Sequence, residues 1–205
     1  FSRARFAFSK LQSGYNPNKA DLQRIKRASA EVANSKLFID DTAAISINDL
    51  RAKARRKHRD EGLGLIAIDY LQLMRSTTKQ ASNSREREIA EISAGLKAIA
   101  KELNIPVIVL AQLNRGPESR TGSSLGVPRM SDLRESGSIE QDADMVGLLY
   151  RKAYYAESAE EKEEDEGESE LVLAKNRNGA TGNIPLTFIP SLMRFESRAF
   201  TPEPG

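Results

Sequence analysis

Residues 62–74 read Gly-Leu-Gly-Leu-Ile-Ala-Ile-Asp-Tyr-Leu-Gln-Leu-Met. The run from Leu65 to Ile68 is apolar without a break, as in a strand of a parallel sheet whose two faces are covered by helices. Asp69 stands where the run ends, at the carboxyl edge of such a sheet, where ligands of open α/β folds gather. Downstream, Ile89, Ile92, Leu96, Ile99 and Leu103 share one helical stripe, and Asn83 and Ser84 stand ready to cap it. Pro106 follows, and Val107 to Leu110 makes a second apolar strand that ends in Gln112, Asn114 and Arg115. Strand, helix and strand form a right-handed βαβ unit, which brings Asp69 and Gln112 to one edge of the sheet. The fold class is α/β.

The flanks extend this alternation. Residues 1–13 suggest a basic helix closed by Gly14, and a second helix runs from Asn18 to about Ala33 with Leu22, Ile25, Ala28 and Val32 on an apolar face. Lys36 to Ile39 reads as a short strand. Ser46 and Asn48 can cap a third helix that turns Ile47, Leu50 and Ala54 inward. Residues 75–84 and 116–130 are polar or Gly/Pro-rich and read as loops, the second of the length kept for function or left disordered. Asp132 to Glu140 reads as a short helix broken by Gly137, and Ala143 to Tyr150 as a third buried strand. Asn178-Gly179 is a hairpin turn signal between antiparallel strands Leu171 to Lys175 and Ile184 to Phe188, with Lys175 and Arg177 near its tip. Thr201 to Gly205 reads as a frayed tail. No internal repeat and no second domain boundary emerges.

Composition narrows the chemistry. The 205 residues contain no cysteine and one histidine, His58, so disulfides, thiolate zinc sites, cysteine nucleophiles and histidine metal clusters are excluded. His58 lies within a basic helix. Mean hydropathy is −0.51, and no apolar run approaches the ~20 residues that span a bilayer, so the chain reads as cytoplasmic. The net charge of +2 conceals an asymmetry: Glu157 to Glu170 holds nine acidic residues and one lysine, a local charge of −8, and the remainder carries +10. A basic body suits a polyanionic partner, while the acidic stretch reads as a solvated, disordered loop. Tryptophan is absent, and Phe and Tyr do not alternate with basic residues as in an aromatic stacking platform. The chain begins at Phe1 and is expected to be a piece of a longer protein.

An apolar strand closing on an aspartate is the Walker B pattern, in which the carboxylate holds Mg²⁺, usually through water. The same pattern also describes a buried strand whose Asp caps the next turn. Four stretches go further: Ile68 to Met74 (Ile-Asp-Tyr-Leu-Gln-Leu-Met), Ala111 to Arg115 (Ala-Gln-Leu-Asn-Arg), Ser131 to Asp144 (Ser-Asp-Leu-Arg-Glu-Ser-Gly-Ser-Ile-Glu-Gln-Asp-Ala-Asp) and Lys175 to Gly179 (Lys-Asn-Arg-Asn-Gly). In order and approximate spacing they resemble the DnaB-type replicative DNA helicases. The resemblance implies a RecA-like P-loop NTPase core, a mostly parallel sheet flanked by helices with a C-terminal antiparallel hairpin. It also implies ATP and Mg²⁺ as cofactors, single-stranded DNA as partner, a homohexameric ring, and a primase and a helicase loader as further partners.

Carried over by residue, the resemblance makes Asp69 the Walker B carboxylate and Gln112 a sensor of the γ-phosphate. Lys175 and Arg177 would reach the nucleotide of a neighbouring subunit. Arg134, Glu135 and Gly137 would belong to the loop that meets single-stranded DNA, with Arg134 on a phosphate and Glu135 positioning it. The two polar loops are candidates for further pore contacts.

The resemblance has a gap. No Gly-x-x-x-x-Gly-Lys-Ser/Thr occurs, and in the family that loop and the water-activating glutamate lie upstream of the region matching Phe1. The family's amino-terminal helical domain and linker are missing as well. Residues 1–205 are therefore expected to be one RecA-like motor domain truncated on its N-terminal side, binding ATP poorly by itself. Two alternatives stand beside a helicase that unwinds duplex DNA at the fork: a RecA-family recombinase-like ATPase, and a truncated, non-catalytic module for DNA binding or interaction.

Overall fold

A computed structural model describes residues 2–198 apart from 8, 11, 12, 77, 79–83, 121, 123, 124, 134–136 and 157. The described residues group into two compact units: Phe1–Asp40 with Leu149–Val172 and Asn183–Gly205, and Asp41–Leu148 with Leu173–Gly182.

The second unit holds the core. Helix α2 (Ile47–Glu61) starts at Ser46, whose hydroxyl accepts from the Asp49 amide, and stops at Gly62 in the left-handed region, φ 70°. Ile47 and Ala54 are buried, as the spacing predicts. Strand β1 (Ile66–Ile68), helix α3 (Arg85–Leu103) and strand β2 (Val107–Val109) make the βαβ unit, with β1 and β2 parallel and Ile66 opposite Val107. Ile89, Ile92, Leu96 and Ile99 of α3 are buried against Leu71, Met74 and the inward residues Ile66, Ile68, Val107 and Val109. Ser84 occupies the N-cap position of α3 without a side-chain hydrogen bond, while Asn83 lies outside the described residues.

The expectation that both sheet faces are covered is corrected. Strand side chains alternate, and while Ile66 and Val107 face α3, Leu65, Ile108 and Leu110 are exposed on the opposite face, at 47%, 53% and 53%.

Gly95 marks the closest approach of α3 to α2. A Cβ there would lie 2.4 Å from Ile47 Cγ1. Replacing a helical glycine by alanine ordinarily gains about 1 kcal/mol, but overpacking a core costs about 1–3 kcal/mol. Gly95→Ala is therefore expected to lower the thermal midpoint, and to do so less when Ile47 is also alanine. A raised midpoint in the single variant would show that Ile47 simply moves aside.

Beyond β2, Met130–Asp132 forms a single 3₁₀ turn and helix α4 runs from Gly137 to Asp142. Gly137 thus opens a helix where the sequence suggested that it breaks one. Strand β3 (Met145–Arg151) alternates exposed and buried residues, so it is half-buried and not the fully buried strand expected. It joins a sheet of order β3-β4-β5-β6, with β4 Glu168–Asn176, β5 Gly182–Ile189 and β6 Arg194–Ser197. β6 pairs antiparallel with β5, Phe188 opposite Phe195, and was not anticipated, because its four residues follow a turn closed by a left-handed Met193 that carries no glycine signal. The Asn178-Gly179 turn falls where expected, although Gly179 does not take the left-handed conformation. It is kept small by Asn176, whose Nδ2 would lie 2.7 Å from a Cβ there.

In the other unit, helix α1 (Lys19–Ala33) begins at Asn18 in a reciprocal capping box with Asp21. Its expected apolar face is not buried: Leu22 and Val32 are each 44% exposed, and Asp21 is the buried residue, bonded by Tyr15 at 3.2 Å and by Arg24. Residues 2–5 form turns instead of a helix, with Arg5 left-handed, and 36–39 is extended but forms no strand. The acidic stretch is ordered where described. Ser158 caps α5 (Ala159–Glu164), and Asp165 pairs with Lys152 at 2.6 Å. Attraction to one lysine and a cap suffice to organise what charge repulsion alone would scatter. The tail 199–205 lies outside the described residues.

Candidate functional site

The carboxyl ends of β1 and β2 are tied together by one residue. Leu110 donates its amide to the Ile68 carbonyl at 2.9 Å and accepts from the Leu71 amide at 2.8 Å. Asp69 is thereby held between two ladder bonds, with its side chain at the exposed edge. Gln72 extends the clasp: its Nε2 donates to the Gln112 carbonyl at 3.3 Å and its Oε1 accepts from the Gln112 amide at 3.2 Å. A side-chain amide thus imitates a neighbouring strand, fixing the Gln112 backbone while leaving its side chain exposed. Arg85 in turn donates to the Gln72 carbonyl at 2.8 Å. Beside the clasp lies a cleft of about 670 Å³ bordered by Ala43, Gln72, Met74, Arg75, Arg85 and Glu88.

No cluster of three His, Cys, Asp or Glu suited to a metal ion exists among the described residues. A lone exposed carboxylate such as Asp69 fits Mg²⁺ that keeps most of its waters and takes its other ligands from phosphates, and it does not fit an all-protein cage.

Lys175 and Arg177 are gathered on the other side of α4. Lys175, the penultimate residue of β4, donates Nζ to the Glu140 carbonyl and to the Gln141 carbonyl, the latter at 3.3 Å, at the electronegative end of α4. Arg177, the first turn residue, donates its backbone amide to the Asp144 carbonyl at 2.8 Å and its guanidinium to the Asp144 carboxylate at 3.3 Å. Lys97 of α3 binds the second carboxylate oxygen. The Lys97 ammonium, helped by Arg177, holds the Asp144 carboxyl below its usual range. Arg177 remains 61% exposed, so the guanidinium is tethered but reachable.

The hydrogen bonds described therefore form two groups, Asp69 with Gln112 and Lys175 with Arg177, each with its own supports. Gly137 is exposed at the start of α4, with open space where a Cβ would stand. Arg134 and Glu135 lie outside the described residues. Sequence reasoning missed the supports Gln72, Arg85, Lys97 and Asp144. Gln72 and Asp144 stand inside the quoted motifs, but nothing in their spacing shows which backbone or cation they would meet.

An α/β fold with a carboxylate and an amide side by side at the carboxyl ends of parallel strands defines a RecA-like helicase ATPase domain, and comparison with known proteins agrees. Residues 1–197 match the DnaB-like helicase C terminal domain, and the chain belongs to that family. It is 44% identical over 185 residues to the replicative DNA helicase DnaC of Bacillus subtilis (strain 168), covering 90% of this chain and 39% of that protein. It is 45% identical over 175 residues to the replicative DNA helicase DnaB of Geobacillus stearothermophilus, covering 85% and 37%. A solved helicase ATPase domain superposes with TM-score 0.83 at 34% identity, over 97% of this chain and 68% of that one. A DnaB-like replicative helicase, solved in a study of its interactions with primase, superposes with TM-score 0.80 at 35% identity, over 95% and 45%. The chain thus spans about 39% of the length of the first of these relatives. Among the described residues, no helix is long and apolar enough to cross a membrane.

Proposed function

We propose that the protein carrying this chain is an ATP-dependent replicative DNA helicase, and that residues 1–205 are most of its RecA-like motor domain. The observation that carries the reading is the family match over residues 1–197, joined to the placement of Asp69 and Gln112 at adjoining carboxyl ends of β1 and β2. Asp69 is the carboxylate that orients hydrated Mg²⁺, which when bound draws negative charge from the phosphates of ATP. Gln112, its backbone clasped and its amide free to turn, senses the γ-phosphate, since an amide both donates and accepts. Lys175 and Arg177 reach from one subunit into the nucleotide of the next and neutralise charge that develops in phosphoryl transfer. That division of labour requires a head-to-tail ring, a homohexamer in this reading. Arg134, Glu135 and Gly137 line the path of single-stranded DNA, with Arg134 on a phosphate. A primase and a loader are its further partners, and the cytoplasm its place of work.

Two measurements test the reading. The 205-residue chain is expected to bind a single-stranded oligonucleotide without sequence preference, its affinity falling with salt by a slope of about −0.7 per phosphate contacted. The longer protein is expected to displace a strand from a forked duplex in an ATP-dependent manner. Hydrolysis stimulated by DNA without displacement would instead mark a recombinase-like ATPase.

A further inference from the structure

We propose that Arg120 and Asp132 are positioning residues for Gln112. The inference rests on the reading of Gln112 as a phosphate-sensing residue, and it gives the loop 113–133 a purpose other than DNA contact.

The loop is closed on itself directly beside Gln112. Leu113 and Leu133 form an antiparallel bridge, and the Asn114 amide donates to the Asp132 carbonyl at 2.7 Å. Asp132 is the hub. Its side chain is 4% exposed, accepting from Arg120 at 2.6 Å on one carboxylate oxygen and from the Arg129 amide at 2.7 Å on the other. The second terminal nitrogen of Arg120 donates to the Val127 carbonyl at 2.5 Å. Burial alone would push the Asp132 carboxyl up, yet these donors hold it below its usual range.

A buried charge is tolerated only when paired and fully bonded, and removing one partner leaves the other at high cost. The ion pair therefore locks the loop. Because the lock grips Asn114 through Asp132, and Leu113 through Leu133, it fixes the chain immediately after Gln112. Gln72 and Arg85 fix the same residue from the β1 side. Gln112 is thus held from both directions, as a side chain must be if it is to answer to the presence of one phosphate group. With its side chain 19% exposed and both terminal nitrogens committed, Arg120 is not placed to meet a DNA phosphate.

Residue-resolved amide hydrogen exchange on the 205-residue chain tests this. In Arg120→Ala the Asn114, Leu133 and Gln112 amides are expected to exchange about tenfold faster or more, while the buried turns of α3 keep their protection. Arg120→Lys, which restores the charge and one bond, should recover part of the difference. An unchanged Gln112 amide overturns the proposal. Should Arg120→Ala also strip α3 of protection, the isosteric Asp132→Asn carries the same expectation and the same refutation.

In the longer protein, Arg120→Ala is expected to lower kcat with little change in KM for ATP, and adding Gln112→Ala should cost nothing further, because the two changes act through one group. Full additivity of the two changes overturns the proposal. If Gln112→Ala alone leaves kcat intact, it is the nucleotide reading of Gln112 that falls, and the exchange result still decides the positioning.

Discussion

Arg177→Ala is expected to reduce ATP turnover by the longer protein about 10³-fold or more, the range found when an arginine finger is withdrawn from a phosphoryl-transfer site. Arg177 is exposed on a hairpin turn and tethered to Asp144 through both backbone and side chain, so its fork is presented in one orientation before any nucleotide arrives. A lysine there would keep the charge without the planar pair of donors, so Arg177→Lys should recover little. Binding of single-stranded DNA should be unaffected. Mixing subunits discriminates further. If Arg177 serves a neighbour's site, a mixture of inactive Arg177→Ala and inactive Asp69→Asn subunits regains part of the activity, because some interfaces receive one intact residue from each. If Arg177 serves its own chain's site, the mixture stays inactive.

Ile92→Ala should destabilise the chain by about 3 kcal/mol, within the range of about 2–5 for a large aliphatic truncated in a core. Ile92 is 0% exposed on α3, in the cluster that also contains Leu71, Met74 and Ile99. β1 and Leu71 rest on that cluster, so the cavity would lie beneath the segment that carries Asp69. Chemical denaturation of the 205-residue chain, comparing midpoints at constant slope, measures the loss. A shift worth less than about 1 kcal/mol would mean that the surrounding side chains collapse into the space, a degree of plasticity unusual for close-packed interiors.

Much of the βαβ unit was legible in the sequence because its signals are local. A run from Leu65 to Ile68 ending in Asp69, a 3.6-residue stripe from Ile89 to Ile99 and a second run after Pro106 each point to one element, and right-handed crossover then places Asp69 and Gln112 together. The hairpin at Asn178-Gly179 was legible for the same reason. The failures share a cause as well. Leu22 and Val32 of α1 have helical spacing yet remain exposed, residues 36–39 have strand composition yet pair with nothing described, and Leu65 and Ile108 face outward from a run that suggested burial on both sides. Apolar spacing records which face a residue occupies, not whether another element packs on it.

The sequence by itself determined the class of fold, the edge on which Asp69 and Gln112 stand and, through its motifs, the family. Only the tertiary structure decided how those residues are held. The Gln72 clasp on Gln112 spans forty positions, Lys97 meets Asp144 across forty-seven, and Lys175 meets Glu140 across thirty-five. Such contacts are selected by where the packed helices and strands bring polar atoms within about 3 Å of each other, and by the cost of leaving a buried donor or acceptor unpaired. Neither is written in local spacing, because many side chains could make each bond and only the finished packing leaves one within reach.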